Sequence, residues 1–331
     1  MDSYTNALLA LSIFLKGGLD LAYALLVGTL LASSALDDTD RAQQFARVAV
    51  RRVAETAAVF LLLGEILLLY LQTALMTGLG LGQVPEQLGL VLSETHFGLA
   101  WAIGFVATAG FGCALLAARV QGVRRGRQGL QSGSVGWVMA SLCAGVLAWA
   151  KAATSHAADG GDLSLSEWVH WVHLCATAAW TGLVIVSALC VLPTFRQHAR
   201  LQARQAYLRG LSNSASAALL LVLASGTFNA WRGLGARTDA LWGGLTQTTW
   251  GHILEFKLAL IVLAIACGAL NRFVYLPRFN REDAAVTLPW EREDRYAALY
   301  QRVSRIISIE ALLMVAVLVS AAWLSQSAPV G

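Results

Sequence analysis

The chain has 331 residues, of which 57% are hydrophobic and only 13% are charged. Soluble domains average about 25% charged residues, so this composition argues against a soluble enzyme or carrier and indicates an integral membrane protein. The net charge of +4 comes from arginines in loops between apolar segments, and it gives no reason to expect nucleic-acid binding.

Apolar segments long enough to cross a membrane recur eight times along the chain. They have the length of helices and do not alternate as barrel strands do, so we predict an all-α integral membrane protein, an eight-transmembrane-helix bundle. The predicted spans are about 6–36, 50–76, 94–118, 134–156, 166–192, 211–232, 249–276 and 303–325. Pro193 and Pro277 are expected to end the fifth and seventh spans. Residues 1–331 are expected to form a single polytopic domain in the lipid bilayer.

The arginines predict how the bundle is oriented. The loops that follow the odd-numbered spans carry nineteen arginines, whereas the opposite loops carry two, Arg232 and Arg237. Basic loops tend to stay in the cytoplasm. Both the N and the C terminus are therefore predicted to lie on the outer side of the membrane.

Five of the six histidines fall at the predicted outer ends of the spans. They are His96, His156, His170, His173 and His252, and only His198 falls on the cytoplasmic side. Neutral imidazole is the commonest metal ligand, and the spacing of His170 and His173 puts both on one helix face. We predict a shared metal site at the outer face; for any single histidine, an interfacial side chain that is merely wetted is the alternative.

Short motifs in the second half of the chain occur in a fixed order. They are Ser155-His156-Ala157, His173 followed by Ala179-Trp180-Thr181-Gly182, Gly226-Thr227-Phe228-Asn229-Ala230, and Trp250-Gly251-His252 continuing to Lys257. In these motifs, over about 134–329, the chain resembles the CopD/PcoD copper-resistance membrane proteins, while the first three spans match mainly in helix count. Leu183 departs from the family, which often has a second glycine there.

The resemblance implies a multi-pass protein of the bacterial inner membrane, so that both termini would be periplasmic. It also implies copper transport from periplasm to cytoplasm, with copper received from a periplasmic CopC-type donor. It carries over His156, His173 and Trp180 as matching positions, whereas His96 and His170 are added here from their placement alone. Imidazole binds Cu²⁺ well and Cu⁺ adequately, so the ligand set leaves the oxidation state open. A transport protein of this kind is not expected to be an enzyme.

A transporter also needs polar or soft groups below the outer histidines, because a bare ion cannot cross the hydrocarbon core. The predicted translocation path includes Asp20, Glu65, Cys143, Cys267 and Trp180. For the cysteines, the ordinary alternative is that each is a small buried hydrophobe. For Glu65, a structural hydrogen bond and a proton or cation path both remain open.

Other charged residues inside spans are expected to pair. Lys16 and Asp20 are four residues apart and are predicted to share a helix face. Glu55 and Glu310 lie nearer the arginine-rich loops, so salt bridges to arginine are predicted for both.

The alternative function is a b-type haem membrane cytochrome or a copper reductase. Haem in a helix bundle needs axial histidines on facing helices at matched depth, and His173 with His156 or His252 is the candidate pair. The sequence shows no nucleotide-binding motif, so it gives no support for a pump driven by ATP.

Overall fold

The computed structural model describes residues 3–36, 40–125, 130–161, 163–234, 241–281 and 289–325, and within them the chain is helical and contains no strand. The α-helices are α1 Ser3–Ser34, α2 Arg41–Thr77, α3 Val84–Glu94, α4 His96–Arg125, α5 Val135–Ala153, α6 Leu165–Val186, α7 Leu192–His198, α8 Leu201–Gly233, α9 Leu241–Gln247, α10 Thr249–Ala269, α11 Leu276–Arg281 and α12 Pro289–Leu324. Short 3₁₀ turns cover Leu81–Gln83 and His156–Gly160.

Eight described helices are long and apolar enough to cross a membrane, which confirms the predicted all-α membrane fold. They are α1, α2, α4, α5, α6 continued into α7, α8, α10 continued into α11, and α12. We call the side of the bundle that carries the arginine-rich loops the arginine-rich end, and the opposite side the histidine-bearing end.

Several helices extend beyond their predicted spans at the arginine-rich end. The helix predicted from residue 50 begins at Arg41, and the helix predicted from residue 211 begins at Leu201. The spans were predicted from apolar residues alone, but a helix continues into polar sequence as long as nothing breaks it. Helices therefore project out of the apolar layer at this end.

Helix α6 is the central helix of the bundle. It packs against α1, α5, α8 and α12. In the span Leu165–His198, 67% of the most apolar stretch is buried, compared with 22–44% in the other described spans. A polar side chain on α6 therefore faces protein rather than lipid, which is where a membrane protein can hold a functional group.

Two π-turns interrupt the helices at the arginine-rich end, at Ser187–Val191 and at Leu270–Tyr275. Each is followed by a leucine and then by Pro193 or Pro277, and that leucine donates its N–H to the carbonyl five residues earlier. A proline lacks an N–H and its ring presses on the preceding turn, so a wider turn accommodates it. The prediction that these prolines end the spans was wrong, because α7 and α11 continue beyond them.

The two segments after the π-turns are both tied to the beginning of α8. Phe195 and Phe279, two residues after the prolines, are each 1% exposed. Arg204 donates from Nε to the Phe195 carbonyl at 3.0 Å, and Gln205 donates to the Phe279 carbonyl at 3.0 Å. Adjacent residues of α8 thus hold the arginine-rich ends of the fifth and seventh spans together.

Candidate metal site and inner cavity

His170 and His173 lie one turn apart on α6 and face α8. The Nδ1 atom of His173 is 3.0 Å from the hydroxyl of Ser225, and Nδ1 of His170 is 3.2 Å from the amide nitrogen of Asn229. The two ring centroids are 6.2 Å apart, with 22° between the ring planes. We call these two residues the histidine pair.

The hydrogen bonds decide which ring nitrogens can bind a metal. The Ser225 hydroxyl is 2.6 Å from the Leu221 carbonyl, to which it donates. It therefore accepts from Nδ1–H of His173, and this leaves the lone pair of His173 on Nε2. A ligand histidine whose other nitrogen donates to a neighbour is the usual arrangement in metal sites.

His170 has the opposite arrangement. The Asn229 amide group donates to Nδ1 of His170, which keeps the proton of that ring on Nε2. A 180° rotation of the amide would present its oxygen instead, and Nε2 of His170 would then be free to bind a metal. Asn229 therefore controls whether the pair offers one metal-binding nitrogen or two.

Two glycines explain why α6 can occupy this position. A Cβ atom on Gly226 of α8 would lie 3.1 Å from Cε1 of His173, so the glycine makes room for the ring. A Cβ atom on Gly182 of α6 would overlap the Ala24 carbonyl of α1, where the two helix backbones touch at Gly28. Both glycines belong to the short motifs noted in the sequence. In the structure these glycines allow α6 to pack closely against α1 and α8.

All three lysines of the chain lie around Asp20, and one of them, Lys257, also acts on the histidine pair. Lys151 of α5 forms an ion pair with Asp20 of α1 at 2.7 Å. Lys16 and Lys257 also lie within electrostatic range of Asp20, and the charges of Lys257 and Asp20 act on the His170 ring. Asp20 thus pairs across helices with Lys151, and the predicted pairing with Lys16 is not the closest one.

This lysine cluster, which consists of Lys16, Asp20, Lys151 and Lys257, carries two more positive than negative charges when its members are ionised. The charge of Lys257 also acts on His173. A fixed positive charge repels Cu²⁺ twice as strongly as Cu⁺ at the same distance. When Lys257 is ionised, its charge therefore disfavours the divalent ion more than the monovalent one.

The other three predicted ligands are exposed and do not join the pair. Nδ1 of His156 lies 3.2 Å from Asp159, and Nδ1 of His252 lies 3.5 Å from Glu255. His96 is exposed at the beginning of α4. Among the described residues, no three His, Cys, Asp or Glu side chains converge on one point. A site shared by more than two of the five histidines therefore stays a prediction.

The predicted interior path does not form one continuous line. Glu65 of α2 accepts a hydrogen bond from Thr108 of α4 at 3.0 Å. Cys143 of α5 packs against Gly110 of α4, where a Cβ atom would lie 2.9 Å from its sulfur. Cys267 of α10 lies within electrostatic range of Glu310 of α12. These contacts belong to different helix pairs, and for Glu65 they favour the structural hydrogen bond.

Trp180 is the member of the predicted path that lines a described cavity. This cavity of about 340 Å³ lies between α6, α8, α12 and the second π-turn, and we call it the inner cavity. Its polar lining residues are Ser212, Ser216, Asn271, Arg272 and Glu310. The sequence reasoning did not select these residues as a site.

The predicted salt bridges to arginine are confirmed for Glu55 but not for Glu310. The predicted salt bridges of Glu55 are confirmed, since Arg51 and Arg119 lie 3.6 Å and 3.9 Å from its carboxylate. Glu310 is only 5% exposed and forms no ion pair with any described residue. The signal that could have identified it was an acid within the apolar run of span eight, beyond Arg305.

Comparison with known proteins gives the family. Residues 5–165 match the family described as "Copper resistance protein D-like, N-terminal domain", and residues 205–324 match "Copper resistance protein D". The chain belongs to the copper resistance protein D family. The match includes the first four spans, so the similarity to the family extends beyond the second half of the chain, where the sequence motifs lie. The histidine pair lies between the two matched ranges, whereas Ser225, Asn229 and Glu310 lie within the second.

Two relatives support the assignment. The chain is 25% identical to Copper resistance protein D of Pseudomonas syringae pv. tomato over 243 residues, which is 72% of this chain and 71% of the relative. It is 30% identical to Inner membrane protein YebZ of Escherichia coli (strain K12) over 132 residues, or 40% of this chain and 42% of the relative. No solved structure matches the chain. With its eight apolar helices, this family member is a multi-pass inner membrane protein.

Proposed function

We propose that this protein carries copper across the inner membrane, from the periplasm to the cytoplasm, and takes it up at the histidine pair. The observation that carries the proposal is the His173 ring, whose Nδ1 atom is held by Ser225 with a second imidazole beside it. Membership of a copper-resistance family supplies the identity of the metal. The direction follows from the arginine bias, which predicts that the histidine-bearing end is periplasmic.

The geometry of the pair suits one ion between the rings. Metal–nitrogen distances are about 2 Å, and the ring centroids lie 6.2 Å apart. An ion would be bound by a nitrogen of each ring once the Asn229 amide has rotated, because in the present arrangement Nε2 of His170 carries its proton. Two imidazoles suffice for a low-coordinate Cu⁺ site, and the lysine cluster disfavours Cu²⁺. We therefore propose Cu⁺ as the ion that the pair holds, with His156, His96 or His252 as ligands on the way in.

The exposed histidines suit a receiving role. His156 and His252 have side chains that are 59% and 62% exposed at the histidine-bearing end. A periplasmic CopC-type donor would reach these rings before it reached the half-buried pair. We propose that copper passes from such a donor to the exposed rings and then to His173.

The haem alternative has less support. Two axial histidines on facing helices are needed, but α8, which faces the histidine pair, contains no histidine. His252 of α10 is exposed and has Glu255 as its neighbour. An absorption spectrum of the purified protein, with metal analysis, separates the two functions, because a haem band near one haem per chain would overturn the copper proposal.

Copper affinity tests the site directly. His173→Ala is expected to weaken copper binding at least about tenfold, the usual cost of losing a ligand or its support. His198→Ala is the matched control, since His198 lies at the end of α7 at the arginine-rich end. Affinity is measured by competition with a copper chelator on protein in nanodiscs. Equal affinities in the two variants would remove the pair from the proposal.

The orientation needs a separate test. Reporter fusions are made after residue 160 and after residue 285, which lies outside the described residues. A periplasm-active phosphatase is expected to work at the first position and not at the second. The opposite pattern would place the histidine pair on the cytoplasmic side and reverse the proposed direction.

A further inference from the structure

The inner cavity is large enough to hold several water molecules, and five polar side chains stand in its otherwise apolar wall. Its volume of about 340 Å³ compares with roughly 10–15 Å³ needed for each water molecule. A second cavity of about 290 Å³ shares Ser212, Arg272, Phe273 and Leu276 with it. The second cavity also includes Arg209, near the arginine-rich loops, so the two cavities together lead from the bundle interior toward the arginine-rich end.

Glu310 is buried in the wall of this cavity without a partner. It is 5% exposed, and it shares no hydrogen bond or ion pair with another described side chain. Gly268 of α10 faces it, and a Cβ atom there would lie 3.4 Å from Oε1. A carboxylate at this depth is costly unless a proton or a cation offsets its charge.

Asn271 is the second unsatisfied group in the same wall. It is 7% exposed, and neither atom of its side-chain amide has a hydrogen-bond partner in the structure. An amide buried without hydrogen-bond partners is destabilising. Its side chain lines the inner cavity, so water in that cavity would satisfy it.

The charges around Glu310 favour a proton over a metal ion. From the second π-turn, Arg272 lines the cavity, and its Nη1 atom is held by Ser212 at 2.9 Å and Asn213 at 3.2 Å. A guanidinium in the wall opposes the entry of any cation, and among the described residues no three His, Cys, Asp or Glu side chains gather here to hold a metal ion. A proton needs no further ligand, so it is the cation that fits this single carboxylate. From α10 the titratable neighbour is Cys267, and the α6 and α8 residues that line the inner cavity carry no titratable group.

We propose that Glu310 is a proton-exchanging site that is reached from the arginine-rich end through the inner cavity, and that its proton exchange is coupled to copper movement. In the exchange, the carboxylate accepts a proton from cavity water to become the neutral acid and returns it when copper moves. The coupling rests on the proposed function, but the protonation does not. Trp180 links the two regions, because it lies seven residues, or about 10 Å, along α6 from His173 and lines the cavity.

Carbodiimide labelling tests the protonation. Protein in nanodiscs is treated with dicyclohexylcarbodiimide, which attaches to protonated carboxyl groups in apolar surroundings, and the modified residues are identified by mass spectrometry. Glu310 is expected to be modified, and its modification is expected to fall as the pH rises. Ser216→Phe, which fills the cavity, is expected to slow modification of Glu310 and to leave that of Glu65 unchanged.

The controls keep this test decisive. Ser216→Ala leaves the cavity open and should behave like the unaltered protein, and Glu310→Gln should lose the modified peptide. The proton site is overturned if Glu310 is not modified at any pH. It is also overturned if the extent of modification changes neither with pH nor in the Ser216→Phe variant.

Copper uptake into proteoliposomes tests the coupling. With the unaltered protein, shifting the pH on the cavity side is expected to change the uptake rate about fivefold or more, the lower range for coupling between two sites. Glu310→Gln should lose this dependence but keep its copper affinity at the histidine pair. Glu55→Gln is the matched control and should keep both, since Glu55 pairs with Arg51 and Arg119 outside the predicted path.

The two proposals fail in different ways. If Glu310→Gln keeps the pH dependence, the coupling is overturned while copper transport stands. If the unaltered protein carries no copper, the proposed function and the coupling both fall, and labelling still decides whether Glu310 exchanges protons.

Discussion

Gly226→Ala is the mildest substitution that reaches the proposed copper ligand. The added methyl carbon would lie 3.1 Å from Cε1 and 3.5 Å from Nδ1 of His173, so the ring must retreat by a few tenths of an ångström. The bond from His173 to Ser225, now 3.0 Å, would then stretch past the usual range. A hydrogen bond contributes about 1 kcal/mol net, which corresponds to about a fivefold loss of copper affinity.

Gly210→Ala is the matched control, because Gly210 lies on the same helix with nothing within 4 Å of its added carbon. Alanine favours a helix over glycine by about 1 kcal/mol, so neither variant should unfold more easily. Copper affinity is measured by chelator competition, and thermal stability is measured alongside. Equal affinities in the two variants would contradict the claim that the placement of the His173 ring matters for binding.

Three further substitutions test the surroundings of the pair. Ser225→Ala should weaken copper binding about tenfold by removing the support of the ring, while Thr227→Val, which removes an exposed hydroxyl of α8, should not. Lys257→Met should strengthen Cu²⁺ binding more than Cu⁺ binding in titrations under oxidising and reducing conditions; an unchanged Cu²⁺ affinity would refute the role given to the lysine charges. Gly182→Ala should lower the unfolding temperature, because overpacking costs about 1–3 kcal/mol, whereas Gly145→Ala, in open space, should not.

The sequence was sufficient for features that depend on local pattern. Eight apolar runs predicted eight helices, and the spacing of His170 and His173 predicted that they share a face. Glu55 paired with arginines because its own helix and the next both carry them near the membrane edge. In each case the residues in contact lie on one helix, or at the ends of two helices. The charged residues of the loops already indicate the depth of those helix ends in the membrane.

The sequence was insufficient where helix rotation decides the contact. Depth alone suggested that His156 and His252 would join His173, but each ring is exposed on its own segment. Glu310 was expected to reach an arginine, but it faces Gly268 and the inner cavity. Asn271 lies on the same helix face as Ala264 and Gly268, and the sequence pattern of span seven does not show that this face lines a cavity.

The two π-turns also make the fifth and seventh spans comparable position by position. Each turn leads into a leucine, a proline and, two residues later, a buried phenylalanine. Counted back from those prolines, His173 and Lys257 each stand twenty residues earlier, and Ser187 and Asn271 each stand six earlier. The same spacing of residues before a π-turn and its proline therefore occurs in two helices of the bundle. In the fifth span the position twenty residues before the proline holds His173 of the histidine pair, and in the seventh it holds Lys257, whose charge acts on that ring.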